Sequence, residues 1–302
     1  MQGTLKNRQL DFTQQDFLRA RHLIHQQAGI ALSEAKFDMV YSRIGKRLRL
    51  LNLPSFKSYL DYLEHGNDVA EWQAFINGLT TNLTSFYREA HHFTMLAEHL
   101  ASLKHLASLN KTNSEPIKIW CCAASSGEEP ITIAITACEV FGTMTPPVQI
   151  IATDIDTDVL EIAASGEYTK DSIKKLPPAI LKQYFQRGIG INEGMVRICH
   201  EIKALIQYKA LNLCAEDWPI DGQFDVIFCR NVMIYFDKAT QSRVLAGLAA
   251  KLRTKGLLFV GHSENFAHAT TNFKLRGKTV YELNQPTSLI ANINQQQSVQ
   301  VI

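Results

Sequence analysis

The stretch that decides the fold is IKIWCCAASSGEEPITIAI, residues 117–135. Its first six residues form an apolar run typical of a buried β-strand, and apolar side chains recur at helical spacing after Gly127. A glycine-rich turn between a strand and a helix usually holds a nucleotide's phosphates on the helix N-terminus. Here the helix begins with Glu128 and Glu129, which would repel a phosphate. The turn therefore predicts a ligand with a cationic group and no phosphate.

The same alternation of strands and helices continues to about residue 284. We expect strands at 117–122, 148–153, 223–229 and 256–261, and helices at 127–141, 156–164 and 238–253. This pattern predicts a parallel sheet wound with helices. Two short strand-like runs around Gly277 and Lys278 predict a final antiparallel hairpin. A doubly wound sheet that ends in a hairpin is typical of Rossmann-like methyltransferases, by analogy at the level of the fold.

The remaining segments define the predicted domain organisation. Residues 1–80 show only helical periodicity and predict an all-α N-terminal domain; residues 81–97 are expected to form a linker helix. Within the Rossmann-like domain, at 98–284, residues 166–202 interrupt the alternation with prolines and glycines. We expect helices there, followed by a small inserted antiparallel β-subdomain. The polar tail, residues 285–302, has the composition of a disordered segment.

Bulk composition excludes several classes of protein. The 302 residues include 31 basic and 29 acidic side chains, and this near-neutral balance opposes a nucleic-acid partner. No segment approaches the ~20 apolar residues that span a bilayer, and the N-terminus lacks the apolar core of a signal peptide. The six cysteines show no spacing with histidines that suggests zinc. We expect a cytoplasmic, metal-free protein without membrane insertion, and a monomer by default.

Polar residues follow the strands where a ligand crevice is expected. Asp154 ends the second strand, and in doubly wound sheets ligands lie outside the carboxyl ends of the strands. A carboxylate there can accept hydrogen bonds from ribose hydroxyls; the alternative is a helix N-cap, a role that Asp156 could fill instead. Arg230 and Asn231 follow the third of these strands, and Tyr235 comes soon after.

The last predicted strand is followed by Gly261, His262, Ser263 and Glu264. His262 is a candidate general base, with a local backbone contact as the equally weighted alternative. S-adenosylmethionine carries a sulfonium and an ammonium but no phosphate. It therefore suits an acidic turn combined with a ribose-binding aspartate better than NAD or ATP does, although a nucleoside remains an alternative.

Five stretches of the chain are informative together: TTNLTSFYREAHHF at 80–93, AASSGEEP at 123–130, ATDIDTDVL at 152–160, FDVIFCRNVMIYF at 224–236 and FVGHSENF at 259–266. They resemble, in order and spacing, the signature blocks of the CheR family, the chemotaxis protein-glutamate O-methyltransferases. The resemblance runs from the helical N-terminal domain to about residue 284. The resemblance implies a Rossmann-like domain that binds S-adenosylmethionine and releases S-adenosylhomocysteine.

The resemblance also implies roles for individual residues. Arg88 and Tyr235 are placed nearest the transferred methyl group, and Glu129 is favoured over Glu128 as a cofactor contact, with Glu128 left open. The implied cofactor-binding residues are Asn82, Thr84, Arg88, Glu128, Glu129, Asp154, Asn212, Leu213, Arg230 and Asn231. Without the resemblance, residues 80–89 would be interpreted as the start of a linker helix with Thr84 or Ser85 as its N-cap.

The implied reaction is methyl transfer to glutamate carboxylates on the cytoplasmic helices of chemoreceptors, which gives γ-glutamyl methyl esters for adaptation in bacterial chemotaxis. A glutamate is already ionised at neutral pH, so the reaction needs orientation rather than a general base. We expect Arg88 and Tyr235 to supply that orientation. The sequence after the third of these strands is RNVMIYF, not the Asn-Pro-Pro-Tyr type common in amine-directed nucleic-acid methyltransferases.

Two surfaces are candidates for receptor docking. The first is a basic helix with Arg43, Lys46, Arg47 and Arg49, for which a solvated helix face is the alternative. The second is the inserted β-subdomain, which resembles an element that grips a receptor's C-terminal peptide by strand addition, with a glycine-tolerant hairpin loop as the alternative. Its candidate residues are Arg187, Gly188, Gly190, Gly194 and Arg197. A catalytically silent cofactor-binding module and a methyltransferase for another protein carboxylate are the competing functions.

Overall fold

The computed structural model describes residues 10–110, 115–266 and 272–284. The described chain begins with four helices that pack around one aromatic-rich core. They are α1 (Gln14–Ala28), α2 (Phe37–Leu50), α3 (Phe56–His65) and α4 (Val69–Leu79). Side-chain caps start three of them: Thr13 caps α1, Ser55 caps α3 and Asp68 caps α4. The predicted all-α character of this part of the chain is confirmed.

The rest of the chain alternates strands and helices around one large sheet. In chain order the elements are α5 (His91–Asn110), β1 (Ile117–Cys122), α6 (Glu128–Phe141), β2 (Val148–Asp154), α7 (Thr157–Ser165), β3 (Glu167–Thr169), α8 (Lys170–Ile173), α9 (Pro178–Tyr184), β4 (Phe185–Arg187), β5 (Met195–Ile198), α10 (His200–Ala204), β6 (Ile206–Ala210), β7 (Phe224–Cys229), α11 (Lys238–Lys251), β8 (Leu252–Phe259), β9 (Phe273–Gly277) and β10 (Val280–Leu283). Three short 3-10 turns lie at Glu34–Lys36, Gly190–Asn192 and Met233–Tyr235.

Seven strands form the large sheet, in the order β6-β2-β1-β7-β8-β10-β9. The first five are parallel to their neighbours, and β10 pairs antiparallel with both β8 and β9. The central strand β1 is hydrogen-bonded on both edges and covered on both faces, which explains its continuous apolar sequence. The predicted parallel sheet with a terminal hairpin is confirmed.

One strand was predicted at the wrong position. The sequence suggested residues 256–261, but β8 runs from Leu252 to Phe259 and follows α11 directly. Its pairing with β7 shifts register near Gly256, where an added Cβ would lie 2.9 Å from the carbonyl oxygens of Arg253 and Asp225. This irregularity breaks the alternation of side chains and hides the start of the strand from sequence periodicity.

The inserted segment forms a separate three-stranded antiparallel sheet in the order β3-β5-β4. The prediction of a small antiparallel element is confirmed, but its order along the chain differs from the prediction. The strand β3 precedes the helices α8 and α9 instead of following them. Three residues are too few to show period-two alternation, so the sequence carried no signal for β3.

The predicted linker helix at 81–97 is wrong for its first half. Residues 81–90 are not helical, and α5 begins at His91. Tyr87 and Glu89 have φ values of 54° and 57°, which no right-handed helix accommodates. The carbonyl oxygens of this segment serve tertiary contacts, because Asn82 accepts from Ser125 and Arg88 accepts from Arg230. Thr84 and Ser85 therefore cap no helix.

Among the described residues, no helix has the length and apolar character that crossing a membrane requires. The predicted disordered tail at 285–302 lies outside the described residues.

The turn after β1 depends on a glycine. Gly127 has φ of 96°, and a Cβ there would lie 2.8 Å from Ala163 Cβ and from Tyr168 Oη. We expect Gly127→Ala to lower the free energy of unfolding by about 1–3 kcal/mol because of strain and overlap. Gly78→Ala is the control: Gly78 lies in α4 with no atom within 4 Å of an added Cβ. Urea unfolding should show this control unchanged or up to about 1 kcal/mol more stable. Equal stabilities of the two variants would contradict the account.

His92 connects α5 to the β9–β10 hairpin and predicts a pH dependence of stability. Its Nε2 lies 2.9 Å from the Lys278 carbonyl oxygen, to which it donates, and burial lowers the pKa of His92 to about 4. The folded protein therefore binds fewer protons than the unfolded chain between pH 4 and about 6.5, so stability rises with pH in this window. The contribution is complete above about pH 6.5 and is lost as the pH falls towards 4.

In His92→Gln, whose amide can still donate to Lys278, we expect a flatter decline of unfolding free energy between pH 7 and 4. The difference should be on the order of 3 kcal/mol across this range. His105→Gln, at an exposed position on the same helix, should keep the wild-type slope. Identical slopes for wild type and His92→Gln would refute this assignment.

Candidate functional site

A cavity of about 340 Å³ lies at the carboxyl ends of β1, β2 and β7. Three parts of the chain form its walls: the end of α1 with the segment that follows it, the extended linker after α4, and the loops after the strands. The volume is within the range typical of small-molecule sites. Nine of the ten residues predicted to bind a cofactor line it, as does Tyr235: Asn82, Thr84, Arg88, Glu129, Asp154, Asn212, Leu213, Arg230 and Asn231.

Glu128 is the predicted residue that does not line this cavity. Its carboxylate accepts a hydrogen bond from Ser126 Oγ at 2.7 Å, and burial raises its pKa. Glu129, the next residue on α6, faces the cavity instead. The difference follows from helix geometry, since consecutive residues point about 100° apart. Of the two acidic residues, only Glu129 is therefore placed to meet a ligand.

Asp154 accepts hydrogen bonds that fix the turn after β1. Its Oδ2 accepts from the Ser125 backbone N–H at 2.8 Å, and its Oδ1 accepts from the Asp156 N–H at 3.0 Å. Burial raises the pKa of Asp154, and these two hydrogen bonds oppose the shift. Asp156 is the N-cap of α7, so the alternative role considered for Asp154 belongs to its neighbour.

Asp156 also fixes the linker to the strand ends. Its Oδ2 accepts hydrogen bonds from Thr80 Oγ1 and Asn82 Nδ2, both at 2.6 Å. The Asn82 carbonyl in turn accepts from Ser125 Oγ at 3.0 Å. The side chain predicted to contact a cofactor is thus oriented by the cap of α7. These hydrogen bonds of Asp156 and Ser125 hold the linker against the strand ends, where Asn82 lines the cavity.

Arg230 is buried where α6, the linker and β7 meet. It forms an ion pair with Glu129, donates to the Arg88 carbonyl oxygen at 2.6 Å, and lies 3.3 Å from Glu89 Oε2. Burial raises the pKa of Glu129, opposed by the Arg230 charge. The Cys121 thiol donates to the other oxygen of Glu129 at 3.4 Å. Glu129 therefore meets the cavity as part of a neutralised pair and not as a free charge.

Asn231 is held in the left-handed region, with φ of 59°. Glu264 fixes the surrounding backbone, because its carboxylate accepts from the N–H groups of Asn231, Met233 and Gly261 at 2.8, 2.8 and 2.6 Å. Burial raises the pKa of Glu264, and these N–H groups oppose the shift. The sequence singled out this stretch as a strand end with a candidate base and as a family-like block, but no local pattern indicated that Glu264 supports the loop before Tyr235.

His262 lies outside the residues that line the cavity. Its Nδ1 is 3.0 Å from Glu89 Oε1, and its exposed ring is therefore directed at the linker. Although burial alone would raise it, the hydrogen bond from His262 and the charge of Arg230 lower the pKa of Glu89 to about 2. The ring therefore contacts the side chains of Glu89 and Ser263, and not the local backbone group considered as the alternative to a general base.

One grouping of potential metal ligands involves the same carboxylate. In the described part of the chain, ligand atoms of Glu89, His91 and His92 lie within 4.8 Å of one another. A cation bound there would be placed beside the Arg230 guanidinium, which already neutralises Glu89. This charge opposes metal binding at the grouping.

The N-terminal domain supplies a cavity wall that sequence reasoning missed. The Ala31 N–H donates to the Tyr235 carbonyl at 2.7 Å, and Ile30 forms a β-bridge with Phe236. Asn212 Nδ2 donates to the Gln27 carbonyl at 2.7 Å. The wall residues from this domain are Ala28, Ile30, Ala31, Leu32, Ser33, Lys36 and Met39. These contacts depend on how two domains pack, for which the sequence holds no local signal.

The predicted docking helix is only partly free. Arg43 donates to the carbonyl oxygens of Gly78 and Thr80, and Arg47 forms an ion pair with the buried Glu71. Lys46 and Arg49 are exposed. Two of the four basic residues therefore join α2 to α4 and its end, so that only Lys46 and Arg49 remain available for the predicted docking.

The two arginines of the inserted sheet point to opposite faces. Arg197 on β5 pairs with Gln186, and Arg187 on β4 pairs with Val196, so alternation separates the two side chains. Gly188 packs closely against the carbonyl oxygen of Asn192, while Gly190 and Gly194 have φ values of 60° and 90°. The conformation of the loop between β4 and β5 therefore explains why glycine occupies these three positions.

Comparison with known proteins identifies the family. The model of the CheR methyltransferase SAM-binding domain matches residues 82–282, and that of the CheR all-alpha domain matches residues 15–80. Chemotaxis protein methyltransferase 2 of Pseudomonas aeruginosa is 46% identical over 275 residues, covering 91% of this chain and 95% of that protein. The chemotaxis protein methyltransferase of Escherichia coli is 48% identical over 269 residues, covering 89% of this chain and 91% of that protein.

The family match covers both the helical domain and the domain that carries the cavity. S-adenosylmethionine is accordingly the cofactor, as the resemblance implied. With its cavity at the strand ends, its mostly parallel sheet and its inserted antiparallel sheet, the chain belongs to the CheR family of S-adenosylmethionine-dependent methyltransferases of chemotaxis.

Proposed function

We propose that this protein transfers the methyl group of S-adenosylmethionine to glutamate side chains of chemoreceptors in the cytoplasm and so forms γ-glutamyl methyl esters. The observation that carries the proposal is the composition of the cavity. It combines the carboxylate of Asp154 with an arginine and a tyrosine, Arg88 and Tyr235. Among the described residues that line it there is no histidine, and its one lysine, Lys36, is exposed.

Asp154 and the adenine-side residues are suited to hold the cofactor. Each Asp154 oxygen accepts one backbone N–H, and a carboxylate oxygen has capacity for a second donor such as a ribose hydroxyl. Leu213 is buried and offers apolar surface for an adenine, next to Asn212. The carboxylate of Glu129 also lines the cavity, and the charge of Arg230 neutralises it. Asp154 is thus the carboxylate that favours a cationic ligand most directly.

The catalytic task of the protein is orientation. S-adenosylmethionine supplies an electrophilic methyl group on a sulfonium. A glutamate substrate arrives ionised, so the cavity needs no general base. Arg88 donates through Nη1 to the Leu83 carbonyl at 2.7 Å, which fixes its guanidinium and leaves other N–H groups for a carboxylate. Tyr235 is fixed by the Ala31 N–H on its carbonyl oxygen. Together they align the carboxylate oxygen with the methyl group.

The receptor partner is proposed from the family's place in chemotaxis. Lys46 and Arg49 remain exposed on α2 as contacts for acidic receptor helices. The edge strand β4 offers a place for strand addition by a receptor C-terminal peptide. The monomeric state is proposed with these contacts. A silent cofactor-binding module is the second candidate, and the arginine and tyrosine fixed at the cavity favour catalysis over it.

The first test uses radiolabelled S-adenosylmethionine and membranes that contain chemoreceptors from the same organism. Arg88→Ala should reduce base-labile methyl incorporation by about 10- to 100-fold, because a charge-assisted contact to the substrate is lost. Asp154→Ala should lose S-adenosylhomocysteine binding in calorimetry as well as activity. Arg276→Ala, at an exposed arginine of β9 outside the cavity and outside the proposed receptor contacts, is the control for loss of an arginine. Binding by wild type without base-labile label would favour the silent module.

The second test addresses the support of the loop that carries Asn231 and Tyr235. Glu264→Gln replaces one acceptor oxygen with a donor, so at least one of three buried N–H groups loses its partner. We expect S-adenosylhomocysteine affinity to fall about tenfold. Glu71→Gln, at a buried glutamate of the N-terminal domain, should keep the wild-type affinity. Affinity unchanged in Glu264→Gln would show that the loop does not depend on this carboxylate.

A further inference from the structure

Two exposed aliphatic side chains lie at the cavity. Leu83 is 79% exposed and Ile234 is 51% exposed, yet both belong to its lining. Single exposed aliphatic residues are common on protein surfaces and need no explanation. Two of them on one cavity, whose lining also includes buried apolar residues such as Leu213, leave apolar surface for a substrate to cover.

The backbone at both residues is fixed by hydrogen bonds, and each residue is linked to a group that is proposed to act on the substrate. The Leu83 carbonyl oxygen accepts from Arg88 Nη1 at 2.7 Å. Ile234 lies in the 3-10 turn Met233–Tyr235, whose first N–H donates to Glu264 at 2.8 Å. Leu83 is therefore hydrogen-bonded to Arg88 through its carbonyl, and Ile234 precedes Tyr235 in the same turn. Their positions are set by hydrogen bonds and not by a loose loop.

The charge around the mouth of the cavity restricts what can cover this surface. Lys36 is exposed and lines the cavity from the N-terminal domain, and Arg88 lines it from the linker. Two cations beside two aliphatic side chains fit a partner that presents a carboxylate flanked by apolar groups. They oppose a partner with basic side chains at the same place.

We propose that Leu83 and Ile234 form an apolar rim that determines which glutamates are methylated; the inference rests on the proposed substrate, a glutamate on a receptor helix. On an α-helix the side chains three and four positions away lie on the same face as the glutamate. When the glutamate enters the cavity between Arg88 and Tyr235, these neighbours cover the rim. The rim selects glutamates whose neighbours one turn away are aliphatic or small.

The enzyme side of the test compares Leu83→Ala, Ile234→Ala and the double variant with wild type, using the purified cytoplasmic fragment of a chemoreceptor from the same organism. We expect the double variant to raise KM for the fragment about tenfold, since several buried methylene contacts are lost. Its kcat and its S-adenosylhomocysteine affinity should stay near the wild-type values. Ile162→Ala, at a 48% exposed isoleucine on α7 outside the cavity, is the matched control and should change nothing.

The substrate side of the test changes the receptor fragment. Lysine placed four residues before or after a methylated glutamate should abolish methylation of that glutamate in mass spectrometry. Lysine two residues away, on another face of the helix, should leave it methylated. These two placements separate the rim from a general effect of charge on the receptor helix.

The outcomes distinguish the rim from the proposed function. If wild type methylates the fragment but the double variant keeps the wild-type KM, the rim is wrong and the reaction stands. If the double variant loses S-adenosylhomocysteine affinity in parallel with activity, the two residues belong to the cofactor wall and the rim is again wrong. If wild type places no base-labile methyl group on the fragment, the proposed function fails and the rim fails with it.

Discussion

The architecture of the site depends on the buried guanidinium of Arg230. It joins two parts of the chain that are distant in sequence to the end of β7: α6 through Glu129, and the linker through the Arg88 carbonyl and Glu89. A buried guanidinium is costly unless opposite charges lie close to it, and the linker supplies one of them, Glu89, when it lies over the strand ends. In that position the linker forms one wall of the cavity, and Arg88 is among the residues that line the cavity.

This pairing changes the meaning of the acidic turn. From sequence, two consecutive glutamates suggested a ligand with a cationic group. In the structure, Glu128 is bonded to Ser126 away from the cavity and Glu129 is neutralised by Arg230, which leaves Asp154 as the carboxylate without a cationic partner. The predicted cofactor class was nevertheless correct, since the chain matches the SAM-binding family model. The electrostatic argument therefore depends on Asp154 and not on the two glutamates that first suggested it.

The sequence predicted the features that depend on local patterns. Hydrophobic periodicity predicted the strands β1, β2 and β7 and the helices that follow them. Because these strands are parallel, the polar residues at their carboxyl ends meet at one edge of the sheet. The linker, the start of β8 and the wall from the N-terminal domain were not predictable in this way. Each is set by tertiary contacts: ion pairs of Arg230, a register shift near Gly256, and the Ala31–Tyr235 hydrogen bond.

The most direct test of the central claim is a crystal structure of the protein with S-adenosylhomocysteine. The account predicts the ribose hydroxyls within hydrogen-bonding distance of the Asp154 carboxylate, the adenine beside Leu213, and the sulfur directed towards the space between Arg88 and Tyr235. Arg230 should keep its contacts with Glu129 and the linker. A ligand bound with its sulfur away from Arg88 and Tyr235, or bound outside this cavity, would contradict the account.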